Sequence, residues 1–100
     1  MNGYISLKDC KHGWLYRIHS RNLDFGVFNE QTEGFMGIRE KYDYLYLSTE
    51  FHWDIGEPYG TAQPVEALEE CPIKDFDEEN QELFDWIEAK RKAFRDRGDP

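Results

Sequence analysis

Leu23-Asp24-Phe25-Gly26-Val27-Phe28-Asn29-Glu30-Gln31-Thr32-Glu33-Gly34-Phe35-Met36-Gly37-Ile38 reads as two short apolar runs around a polar turn. Leu23, Phe25 and Val27 alternate with Asp24, Gly26 and Phe28, the period of two expected of a strand. Residues 29–33 are polar, Gly34 closes them, and the second apolar run follows at once. This is a hairpin signal, and Gly34 is the residue expected to take positive φ, since it carries no Cβ. Gly26 and Gly37 fall inside the strand patterns and are expected to mark bulges or sharp coiling.

The same period extends to both sides. Trp14, Tyr16 and Ile18 alternate with Leu15, Arg17 and His19. Residues 44–53 form the longest such run. It places Leu45, Leu47, Thr49, Phe51 and Trp53 on one face and Tyr44, Tyr46, Ser48, Glu50 and His52 on the other. Four strands with short connections predict an antiparallel meander. Gly56, Pro58, Gly60 and Pro64 then punctuate a loop, and Val65 to Glu70 has room for one or two helical turns before Pro72. From Asp77 the period changes. Leu83, Phe84, Ile87 and Phe94 recur at helical spacing, Asp77 is the expected N-cap, acids open the segment and Lys90, Arg91, Lys92 and Arg95 close it. The expected fold class is α+β: a four-stranded antiparallel sheet, either strongly curved or partly closed like a small barrel, packed on one face by a C-terminal α-helix. The chain reads as one domain, residues 1–100, with a β-rich part over 4–54, an acidic loop over 55–76 and a helix over 77–97.

Charge is distributed unevenly along this frame. Residues 1–53 carry seven acids and six bases, residues 54–89 twelve acids and one base, and residues 90–100 two acids and five bases. The middle third therefore holds more than the whole net charge of −9. Such a segment repels nucleic acid and anionic membranes and attracts basic surfaces. Disorder goes with few aromatic residues, and here they make up 16%. No apolar run approaches the roughly 20 residues needed to cross a bilayer, and Met1-Asn2-Gly3-Tyr4 lacks the basic and apolar regions of a signal peptide. Cys10 and Cys71 are expected as reduced thiols of a cytoplasmic protein.

Three groups of residues bear on chemistry. Glu50, His52 and Asp54 alternate, so an extended strand puts them on one side, where His52 could act as an acid–base flanked by carboxylates. The competing reading is a solvated strand face, and no nucleophile or nucleophile-elbow motif accompanies the three. Cys10, His12, His52 and Cys71 show no zinc-ligand spacing, so no metal or other cofactor is expected. Arg17, His19 and Arg21 share a strand face, with Arg39 two strands on. They suit a phosphate or a partner's acids, or they neutralise Glu50 and Asp54 across the sheet.

The stretches Gly13-Trp14-Leu15-Tyr16-Arg17-Ile18-His19-Ser20-Arg21-Asn22, Gly37-Ile38-Arg39-Glu40-Lys41 and Glu50-Phe51-His52-Trp53-Asp54 resemble small proteins borne by phages and mobile elements, over about residues 9–65. The resemblance brings no activity and no site residue with it. Small size and acidity are also similar to anti-defence proteins of phages, including anti-CRISPR proteins and nucleic-acid mimics.

The leading expectation is a stoichiometric inhibitor or adaptor without enzymatic activity. Its carboxylates would occupy a basic, nucleic-acid-binding site on another protein. Glu66, Glu69, Glu70, Asp75, Asp77, Glu78 and Glu79 are the expected contact residues, with Trp53 and Tyr59 as aromatic anchors. The alternatives are a small enzyme built on Glu50, His52 and Asp54, and a regulatory module for a small ligand held in the curved sheet. A homodimer through an unpaired sheet edge is a further expectation.

Overall fold

The computed structural model describes residues 5–19, 23–39, 44–48 and 63–96. A short 3-10 turn at Leu7–Asp9 precedes β1 (Trp14–His19), β2 (Phe25–Asn29), β3 (Gly34–Arg39), β4 (Tyr44–Ser48), β5 (Gln63–Glu70) and the helix α1 (Gln81–Asp96). The strands form one antiparallel sheet in the order β4-β3-β2-β1-β5. The fold is α+β, and the meander β1 to β4 follows the alternating pattern of the sequence. The sheet is open, with β4 and β5 as its edges.

Alternation sends side chains to two cores. Leu15, Phe25, Val27, Met36, Ile38 and Leu45 meet Leu83 and Ile87 of α1 on one face, and Phe84, Trp86 and Phe94 pack at the margin of the same cluster. Tyr16, Ile18, Leu23, Phe28 and Phe35 form a second cluster on the other face, where Ile5, Cys10 and Trp14 pack. This is why β2 alternates in direction but hardly in burial: Phe25 to Phe28 are all buried. The aromatic residues interlock edge to face. Phe25 meets Phe94 at 5.1 Å between ring centroids and Tyr16 meets Phe35 at 5.8 Å, separations at which such pairs are favourable.

Two glycines are required where they stand. A Cβ on Gly37 would run into the carbonyl oxygen of Phe25, so the close approach of β2 and β3 depends on its absence. Gly13, at φ 81°, turns the chain so that its N–H donates to the Phe28 carbonyl while its own carbonyl accepts from Cys71 N–H, both at 2.8 Å. One residue thus joins β2, β1 and the end of β5. The hairpin turn over 30–33 differs from expectation in one respect. Glu33, at φ 57°, is the residue with positive φ, and Gly34 is already the first residue of β3, opposite Asn29. The turn is held by Asn29, whose Oδ1 accepts from Gln31 N–H at 3.0 Å.

β5 replaces part of the expected acidic loop over 55–76, and it lies where one or two helical turns were expected over 65–70. Its composition, with Pro64 and three glutamates, is unfavourable for a central strand but acceptable at a sheet edge, where one side of the backbone and much of the side-chain surface face water. Two register shifts against β1, between Leu15 and Tyr16 and between Arg17 and Ile18, bend it further. Charge, proline and bulges together disfavour the addition of another strand at this edge.

The helix starts later than the charge pattern implies. Asp77 is not its N-cap. Asn80 is: its Oδ1 accepts from Glu82 N–H at 3.1 Å, and its carbonyl accepts the first helical bond from Phe84 N–H. Leu83, Ile87 and Arg91, spaced four apart, form the buried stripe of α1.

Candidate functional site

The expected contact residues fall on two adjoining segments with different electrostatic settings. Glu66, Glu69 and Glu70 lie on β5 and are exposed. Each has a cation of this chain beside it. Arg17 Nε reaches Glu66 at 3.2 Å, Lys90 Nζ reaches Glu69 at 2.9 Å, and Lys74 Nζ reaches Glu70 at 3.6 Å. The first pair follows from the register, since Arg17 is opposite Glu66. The second ties α1 to the sheet edge, and the same Lys90 ammonium stands 5.2 Å from the centre of the Trp86 ring.

Asp75, Asp77, Glu78 and Glu79 lie in the segment between β5 and α1, all exposed. Here the carboxylates organise backbone. Asp75 Oδ1 accepts from Asp77 N–H at 3.1 Å, and Asp77 Oδ1 accepts from Glu79 N–H at 2.8 Å. Asn80 Nδ2 donates to the Asp75 carbonyl at 2.7 Å. Such short-range bonds are what Asp and Asn offer outside regular structure. Phe76 anchors the segment, packing on the helix-side core and meeting the His12 ring at 5.5 Å. His12 Nδ1 in turn accepts from Glu30 N–H at 3.1 Å. The acidic segment is thereby fixed to the β2–β3 turn as well as to the helix.

Among the described residues, no cation lies within 4.0 Å of the carboxylates of Asp75, Asp77, Glu78, Glu79, Glu82 or Asp85. Glu78, Glu79, Asn80 and Gln81 also border a groove of about 340 Å³ whose apolar lining is Leu45 and Phe84. The first turn of α1 and the segment before it therefore form a negative surface that no cation among the described residues neutralises.

The remaining expected residues distribute as follows. Glu50, His52, Trp53, Asp54 and Tyr59 lie outside the described residues, as does Arg21. Arg39 is the last residue of β3, and its side chain lies outside the described part. Arg17 is a neutralising residue, with Glu66 as its partner. His19 ends β1 and is exposed. Among the described residues, no three His, Cys, Asp or Glu side chains converge as metal ligands. No described helix is long and apolar enough to cross a membrane.

Cys10 and Cys71 are free thiols. Burial pushes the Cys10 thiol up to about 11, against a smaller opposing effect of its hydrogen bond with Tyr16. Burial also raises Cys71, whose thiol donates to the Ile73 carbonyl. Both are held neutral, the opposite of what a nucleophilic cysteine needs.

The interaction that sequence reading missed is Arg91. Only 5% of this residue is exposed. Its Nε donates to both oxygens of Asp24, at 3.1 and 3.3 Å, and its Nη1 to Glu88 at 3.1 Å. In sequence it looks like one more base at the negative end of a helix. The only signal was its place in the Leu83–Ile87–Arg91 series.

No protein-family model, curated protein or solved structure matches the chain.

Proposed function

We propose that the protein is a non-catalytic acidic binding protein that docks on a basic surface of another protein, one that otherwise holds nucleic acid. The observation that supports this reading is the division among the carboxylates. Those of β5 each have a cation of the same chain, whereas Asp75, Asp77, Glu78 and Glu79 have none among the described residues. Carboxylates spaced along a fixed segment compete with phosphates for Lys and Arg, and they speed encounter with a basic partner. Phosphate contacts carry most of nucleic-acid affinity, so an acidic surface that covers those cations blocks binding without imitating any base. Glu66, Glu69 and Glu70 belong to the rim of this surface. Exposed pairs such as theirs are worth about 0–1 kcal/mol, so a partner can exchange them at little cost. In the narrower form of the proposal the partner is a defence protein of a phage host, and the chain is its inhibitor.

The test is affinity capture from a bacterial lysate at low and at moderate salt, with the bound proteins identified by mass spectrometry. The reading expects one nucleic-acid-binding protein, released by salt or by competing DNA. Absence of any salt-sensitive partner would overturn it.

A further inference from the structure

We draw no further inference here: the strongest candidate, the groove of about 340 Å³ between β4 and the first turn of α1 lined by Leu45, Glu78, Glu79, Asn80, Gln81 and Phe84, belongs to the acidic surface already described, and nothing among the described residues shows what would occupy it.

Discussion

Glu33 is the one described residue other than glycine that stands at positive φ. A side chain there crowds the backbone, at a cost of about 1–3 kcal/mol, whereas glycine adopts the region freely. Glu33 is exposed and closes the turn between β2 and β3. Glu33→Gly should therefore stabilise the protein by about 1 kcal/mol, after the greater chain entropy of an unfolded glycine is subtracted. A urea midpoint equal to or below that of the parent would contradict this. The two thiols make a second test at this scale. With Cys10 raised to about 11 and Cys71 raised in the same direction, neither is appreciably ionised near neutral pH. A thiol reagent at pH 8 should label Cys10 of the folded protein roughly a hundredfold more slowly than in the urea-unfolded chain, and Cys71 more slowly as well, because the thiolate is the reactive form. The sign of the linked stability follows. The raised Cys10 thiol contributes stability that is complete below about pH 9 and declines as pH climbs toward 11, since only the unfolded chain then gives up its proton readily, and Cys71 acts in the same direction. Fast labelling of the native protein would show that burial does not protect the thiols.

Helix α1 separates two kinds of acidic residue that look alike in sequence. Asp77 and Asn80 both accept backbone N–H bonds, but Asp77 serves the preceding turn and Asn80 the helix itself. Asn80→Ala should cost about 1 kcal/mol, in the range of lost N-caps, and Asp77→Ala less. Equal losses in paired denaturation curves would mean that the helix effectively begins at Asp77. Arg91 tests the opposite face of the element. Its guanidinium is buried, but Asp24 and Glu88 are 39% and 44% exposed and can return to water. Arg91→Met keeps the apolar stem and is expected to cost about 1–3 kcal/mol, the range of lost hydrogen bonds to charged groups and below the roughly 3–5 kcal/mol of pairs buried on both sides. Double-mutant analysis with Asp24→Asn should show coupling, and additive effects would mean that the contact contributes nothing specific. These elements also explain what could be read beforehand. The strands β1 to β4 and the helix follow from periodicity, because one repeat of side-chain direction decides both burial and secondary structure. β5 was hidden for the converse reason. Pro64, Glu66, Glu69 and Glu70 give it no strand-like composition, and only its neighbour β1 makes it a strand. Arg91 was hidden because its burial depends on Asp24, 67 residues away in sequence.

At the scale of the whole molecule, the net charge of −9 matters less than which carboxylates remain available. The sequence drew attention to residues 54–89 as a block. The structure divides the described part of that block, because pairing of β5 with β1 and packing of α1 bring Arg17 and Lys90 to Glu66 and Glu69, contacts that no linear charge pattern contains. The consequence for binding is specific. Reversal of Asp75, Glu78 and Glu79 to lysine changes the net charge by the same amount as reversal of Glu66, Glu69 and Glu70. If total charge alone governs association with a basic partner, the two triple variants should lose affinity equally. If the unneutralised segment makes the contact, the first variant should lose at least tenfold more, and its affinity should become nearly independent of salt, since its close ion pairs are gone. Asp77 is left intact in both because its carboxylate holds Glu79 N–H; Asp75 holds Asp77 N–H in the same way, so thermal melts must separate a loss of contact from a loosening of this turn. The measurement is titration calorimetry against the captured partner at two ionic strengths, with thermal melts of all three proteins alongside. Equal losses with unchanged melting would leave general electrostatic attraction and remove the segment before α1 from the interface.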